Sequence, residues 1–508
     1  MCDTSAEREL AEELESVRPE LTSAYLAALP GARATVLARL WRGLVHEPLP
    51  WIAARTRGSA GISIRLADGR RLHGPPSDPW ATGTAVAVVE LDGVPYDHPA
   101  RLMAALPVPG GAPFAAELDH SVASLALSRT APPAAGPPSE PWEWEQRSPD
   151  GHPYHPTCRS RPGFSAAEQL AYAPEHRPVV GLRLAPVTGA IVRGPWPSQW
   201  RDGDTVLLPV HPWQAEHVLA GRPVLSGPPA HPLLSLRTLA LDRRIHVKTA
   251  LSARLTSQVR DISAYSVDHA LATSELATRV ADRLDGRLHV TRTLAAAGAG
   301  TPELAAVLRE SPYVHAGTDE QVIPVAELSG HLASLSPRER RARVTDFARL
   351  ALGVCLDLLD LGVALEAHGQ NLLAVVDLEL RTRRLVYRDL ADIRVSPARL
   401  VRHGFPAPPI TGRLLEDDPT VLRRKVLSCL ITGALGPLAG NAAELGDLLD
   451  AATRDLPPAP DLLALRTEQL PVKALTMMRL SPAGDHWALL PNPVTTRFAG
   501  SSAGAAER

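Results

Sequence analysis

The sequence predicts an α+β protein: helical at its N-terminal end, antiparallel sheet through the middle, and mostly helical again from about residue 320. Three observations carry this. Leu10, Leu14, Val17 and Leu21 share one helical face within residues 4 to 45. Short apolar runs bounded by turn residues follow between 179 and 249. In the last third, Phe347, Leu350, Val354, Leu358 and Leu361 restore the helical period over Asp346 to Ala364.

Along the chain, Thr4-Ser-Ala-Glu7 resembles a capping box opening the first helix, which Pro19 bends or ends. Ile62, Ile64 and Leu66 alternate before an Asp68-Gly69 turn, predicting a hairpin over 61–73. Thr84 to Leu91 reads as a strand and 99–130 as helix. Residues 131–141 hold five prolines and one glycine and read as a linker or long surface loop. Strands are expected at Val179 to Leu184, Thr205 to Val210, Leu236 to Leu241 and Ile245 to Thr249. After 320 the exception to helix is a hairpin, Leu372 to Val376 returning through Leu385 to Tyr387. The tail after 498 is Ala, Gly and Ser and is expected to fray. The expected division is 1–130, 131–318 and 319–508.

A length of 508 residues suggests two to four domains, and 45% hydrophobic against 21% charged residues can bury a large core. A formal net charge of −2 implies no nucleic-acid partner, since a polyanion binder carries a basic excess. Cys2, Cys158, Cys355 and Cys429 show no metal spacing, which points to a reduced, cytoplasmic setting. No apolar leader opens the chain, and Asp357 and Asp360 interrupt the longest apolar helix, so no membrane span is expected.

The most informative stretch is Glu366-Ala-His-Gly-Gln-Asn371, followed after the hairpin by Tyr387-Arg-Asp389. The hairpin would return Asp389 beside Asn371, gathering two carboxylates, an imidazole and two amides. Hard cations take oxygen ligands, and magnesium is commonly held by one or two carboxylates plus substrate phosphates. Amides that merely cap a turn are the plain alternative. Aminoglycoside and choline kinases carry a similar helix, polar loop and hairpin-borne Asp, so the local pattern points to a nucleotide before it points to a reaction.

Other polar clusters precede it. Gly151-His-Pro-Tyr-His-Pro156 runs into Arg159-Ser-Arg161-Pro-Gly-Phe164, either stiff anion-binding forks or solvated arginines on a proline-rich loop. His211-Pro-Trp-Gln214 ends a strand and reads equally as core. Lys248-Thr followed by Thr256-Ser257-Gln-Val-Arg260 offers hydroxyls and a guanidinium to phosphate, or a helix cap. Arg309-Glu-Ser-Pro312 and Lys473-Ala-Leu with Met478-Arg479-Leu480 complete the series.

In this order, over roughly 115–492, the motifs resemble the IucA/IucC family of NRPS-independent siderophore synthetases. The resemblance implies a cupped hand: a helical thumb, an antiparallel-sheet fingers domain and a mostly helical, kinase-like palm. It implies that ATP and Mg2+ lie between fingers and palm. A carboxylate, citrate or a citrate-like acid, would be adenylated there and passed to an amine or alcohol, and many members form homodimers. Carried over by motif, His155, Arg159, Ser257, Arg260, His368, Gln370 and Asn371 would bind ATP. His368 and Arg260 would serve the reaction, and Glu366, Asn371 and Asp389 would hold the metal. Arg161, Arg309, Lys473 and Arg479 are candidates for the acid's carboxylates.

Two departures stand out. Arg159 replaces the family's usual Lys, a fork for a point charge, and Asp261 follows Arg260 where Thr is common. Asp261 could pair with Arg260 or repel an anionic substrate. A kinase-like phosphotransferase and a catalytically silent nucleotide-binding homologue are the competing readings.

Overall fold

The computed structural model describes residues 2, 4–131, 136–256, 258–482 and 484–495. Ser257, part of the expected linker and the tail after 498 therefore lie outside the described residues. The α+β class holds, and the strands pair antiparallel except in one place.

Helices Ser5–Val17 and Pro19–His46 open the chain, with Pro19 at the start of the second helix. No capping box forms at the first: the Thr4 side chain makes no cap hydrogen bond, and its hydroxyl donates to Asp119 instead. Glu7 turns into the core, where it accepts from the Arg33 fork at 2.7 and 2.5 Å. A buried carboxylate gains more from a guanidinium than from a cap, because it must recover its lost hydration.

The expected 61–73 hairpin belongs to a five-stranded meander, Ile52–Gly58, Gly61–Leu66, Arg71–Gly74, Val89–Leu91 and Val94–Tyr96. Of the strand expected over 84–91 only Val89–Leu91 pairs. Helices Pro99–Ala105 and Gly111–Ser128 follow. Tyr25, Trp41 and Phe114 anchor the core these elements share.

The middle forms a nine-stranded antiparallel sheet. Its order is Ile191–Arg193, Thr293–Gly298, Ala305–Glu310, Ile245–Thr249, Thr238–Ala240, Leu225–Pro232, Val180–Thr188, Thr205–Val210 and Arg201–Asp202. Helix Ala264–Ala281 packs on it.

Beyond 320 the chain is less purely helical than expected. Leu372–Asp377 and Thr382–Tyr387 form the hairpin, but they sit at the centre of a four-stranded sheet. Glu320–Pro324 pairs antiparallel on one side and Leu288–Val290 parallel on the other. Leu470–Lys473 and Trp487–Leu490 make one more hairpin. Helix Pro337–Leu361 starts well before Asp346, at a capping box of Ser336 and Glu339. It stops at Gly362, whose φ of 108° a side chain would strain. No single helix among the described residues is long and apolar enough to cross a membrane.

Candidate active site

Local structure builds the centre of the site. After Gly362, Val363–Ala364 pairs with Arg394–Val395, and the chain turns through 365–371 into the hairpin. The turn closes on itself: the His368 carbonyl accepts from the Asn371 and Leu372 N–H groups, both at 2.9 Å. Gly369 lies against a π-helix, Ser428–Leu435, donating to the Gly433 carbonyl at 2.7 Å. A Cβ on Gly433 would stand 2.4 Å from the His368 Cβ, so glycine is what lets the two backbones meet. The hairpin register pairs Leu372 with Tyr387 and sets Arg388 N–H 3.0 Å from the Asn371 carbonyl. Asp389 thus returns beside Asn371. The buried Tyr387 hydroxyl ties both ends, accepting from Glu366 N–H and donating to the Asp389 carbonyl at 3.2 Å each.

These groups border a cavity of about 430 Å³. Arg159, Arg161, Arg260, Arg309, Glu366, His368, Gln370, Asn371 and Asp389 all line it. Segments from 159 to 389 therefore converge on one cleft. His155, Lys473 and Arg479 do not line it. His155 is buried behind the wall, its Nδ1 accepting from Thr157 N–H at 3.2 Å. Arg479 is buried against Glu117 of the first helical layer, with Nε–Oε2 at 2.7 Å. Lys473 stands one layer back, 3.1 Å from Glu366.

Electrostatics set the character of the cleft. Asp389 accepts from Lys248 Nζ at 2.8 Å through both oxygens and from Arg309 at 3.0 Å. Burial alone would raise its pKa; Arg309 and Lys248 outweigh that and hold the carboxyl well below the usual range. Glu366 faces Lys425 at 2.6 Å and Lys473 at 3.1 Å. Burial again opposes ionisation, and the two lysines override it, bringing the carboxyl to about 2. His368 is drawn down to about 4 by burial, against the pull of Glu366. Its Nδ1 accepts from Gln370 N–H at 3.3 Å, so the neutral ring carries its proton on Nε2.

Arg260 closes the hairpin Leu251–Leu255 to Gln258–Arg260 and donates to the Leu255 carbonyl at 2.9 and 3.2 Å. Asp261 accepts from Ser252 Oγ at 2.7 Å, and Ser252 in turn is fixed by Gln214 of the His-Pro-Trp-Gln segment. Trp213 of that segment is core, as the plain reading held. Arg161 binds Glu175 at 2.8 Å, and Arg159 shares that carboxylate at 3.6 Å.

Glu366, Asn371 and Asp389 present hard oxygen donors to one cavity, a set whose chemistry fits magnesium. Each carboxylate already faces two cations, so a metal fits best when it arrives with phosphates that add negative charge.

Lys248, Arg237 and Lys425 were not singled out from the sequence as site residues. Lys248 was legible as a lysine inside an apolar strand. Arg237 gave no such signal; it lines the cavity and donates to the Asp261 carbonyl at 3.2 Å. Lys425, on the helix Pro419–Leu427, gave none either.

Two family models match: IucA / IucC family over residues 141–330, and ferric iron reductase FhuF-like transporter over 344–486. The rhizobactin siderophore biosynthesis protein RhbC of Rhizobium meliloti is 28% identical, over 45% of this chain and 50% of its own length. The chain spans about half the length of the curated relatives it matches. The petrobactin biosynthesis protein AsbB of Bacillus anthracis superposes with a TM-score of 0.76 at 19% identity, covering 98% of this chain and 100% of AsbB. ATP-bound aerobactin synthetase IucA of Klebsiella pneumoniae superposes with a TM-score of 0.68 at 19% identity, covering 91% and 99%. The IucA / IucC family model thus covers residues 141–330, and the fold of these siderophore biosynthesis proteins extends over nearly the whole chain.

Proposed function

We propose that the protein is an ATP-dependent ligase that adenylates citrate or a citrate-like acid and condenses it with an amine or hydroxyl nucleophile in siderophore or related metabolite biosynthesis. The observation that carries this reading is the cleft itself: Lys248, Arg260 and Arg309 from the sheet side face His368, Asn371 and Asp389 from the hairpin side. A carboxylate approaching a triphosphate meets strong repulsion, and fixed cations in a half-buried cleft offset it without reorganising.

In the first step a carboxylate oxygen of the acid attacks the α-phosphorus and the bond to the β-phosphate oxygen breaks, releasing pyrophosphate. In the second, the nucleophile attacks the acyl carbon, its proton is lost, and AMP departs. Arg260, with Ser257, would hold phosphate oxygens; His155 would support that wall from behind. His368 donates from Nε2 to the developing phosphoryl charge, and Gln370 and Asn371 orient the nucleotide. Glu366, Asn371 and Asp389 would hold Mg2+, which neutralises phosphate oxygens. Arg159, Arg161 and Arg309 give the acid's carboxylates guanidinium partners, with Lys473 supplying charge from behind Glu366. Arg479, held by Glu117, takes no direct part. A cytoplasmic homodimer belongs to the same reading, and its dimeric state is checked by sedimentation.

The test is a panel of carboxylic acids incubated with Mg-ATP and hydroxylamine or a diamine, with products read by mass spectrometry. Pyrophosphate and AMP are expected. ADP with every productive acid would mean a phosphotransferase, and nucleotide heat in calorimetry with no product from any acid would mean a silent nucleotide-binding homologue.

A further inference from the structure

We propose that Glu145 is a positioning residue for this reaction, fixing the catalytic hairpin against the sheet wall through Arg388. The inference rests on the functional reading above but has its own readout. Glu145 sits in the short turn Pro141–Gln146 with its side chain fully buried. One carboxylate oxygen accepts from Arg388 at 2.6 Å and from the Tyr313 hydroxyl at 3.0 Å. The other accepts from Arg388 at 2.7 Å and from Leu234 N–H at 3.3 Å. Arg388 in turn donates to the Gln370 carbonyl at 3.0 and 2.8 Å.

One carboxylate therefore ties together three parts of the cleft. Leu234 leads into Ser235 and Arg237 of the cavity wall. Arg388 precedes Asp389 and clamps the loop that carries His368. Tyr313 closes the back. Neither Glu145 nor Arg388 lines the cavity, so neither touches substrate. Satisfying Glu145 and the Gln370 carbonyl together needs a planar fork; a lysine ammonium reaches one of them. The same turn is pinned to the sheet by Gln146, which donates to the Pro232 carbonyl at 3.1 Å.

The experiment compares Arg388→Lys with the wild-type full chain by amide hydrogen exchange and steady-state kinetics. The expected result is exchange roughly tenfold faster or more at Asn371 and Leu372, whose N–H groups close the loop, while amides of the nine-stranded sheet exchange as in the wild type. A displacement of about 1 Å at the reacting groups lowers turnover on the order of a hundredfold, so kcat should fall by at least ~10-fold while KM for ATP moves less than ~3-fold. Unchanged exchange at these amides overturns the proposal, as does a kcat loss that only follows the unfolded fraction. Should Arg388→Lys fail to fold, the double variant Glu145→Gln/Arg388→Gln, which removes both buried charges, is judged by the same two outcomes. Wild-type protein inert with every acid sinks the ligase reading alone, because the exchange measurement still decides the positioning role.

Discussion

His368 shows how one side chain's role is set by its surroundings. Burial keeps the ring neutral from about pH 4 upward, and the Gln370 N–H fixes which nitrogen donates. His368→Ala should lower turnover by at least ~100-fold, as for loss of a donor to developing charge, with the melting curve unchanged; full activity would remove the residue from the mechanism. Asp389→Asn should cost more than activity, because Lys248, 5% exposed, then lacks its counter-ion. Breaking such a pair costs roughly 3 kcal/mol, so chemical denaturation should show a clear loss; an unchanged midpoint contradicts the pairing. At this scale the sequence told which residue types matter, through Glu366 to Asp389, but not that both carboxylates are held by lysines. Lys425 is 59 residues from Glu366 along the chain, and no local pattern links them.

At the scale of elements, short-range chemistry was largely legible. The helix later seen as Pro337–Leu361 and the hairpin over 372–387 follow from period and turn residues within a few positions. Ser336→Ala removes the cap and its return bond, and should cost about 1 kcal/mol with turnover intact, measured by urea denaturation beside an activity assay. What the period could not show is the π-helix Ser428–Leu435, whose wider i→i+5 turn presents the Gly433 carbonyl to Gly369 of a loop some sixty positions away. Gly433→Ala drives a methyl into the His368 Cβ. Overpacking of this kind costs about 1–3 kcal/mol, and both stability and turnover should fall; a variant with normal activity would show that the loop yields without moving the imidazole. The Thr4 to Glu7 pattern failed for a related reason: the capping spacing was present, but Arg33 and Asp119 claimed both side chains.

Across the whole molecule, the largest core gathers Trp80 and Trp144 with the helices and strands of the last third, and Trp80 donates to the Pro491 carbonyl at 3.3 Å. The same compaction buries histidines. Burial draws His46, His152 and His211 down to about 3, and His120, His176 and His368 to about 4. Their unfolded value is about 6.5. Because the folded values are the lower ones, the neutral rings stabilise the fold fully above about pH 6.5, and that contribution is lost as pH falls towards 4 and 3. Glu327 works the other way, since burial raises it to about 7. His155 and His246 shift the same way as these six, and Glu47 joins Glu327. The histidines outnumber the two carboxyls and predict a urea midpoint lower at pH 5 than at pH 7.5, which a midpoint higher at pH 5, or the same at both, would contradict.

The amino-acid order alone determined the class of fold, the helix and hairpin that frame Asn371 and Asp389, and the set of motifs that marks the family. Those depend on neighbours a few positions apart. Only the tertiary structure decided which charges meet: Lys248 with Asp389 across 141 positions, and Glu145 with Arg388 across 243. Coulomb energy depends on distance in space and on exclusion of water, and neither quantity is written along a chain until it has folded.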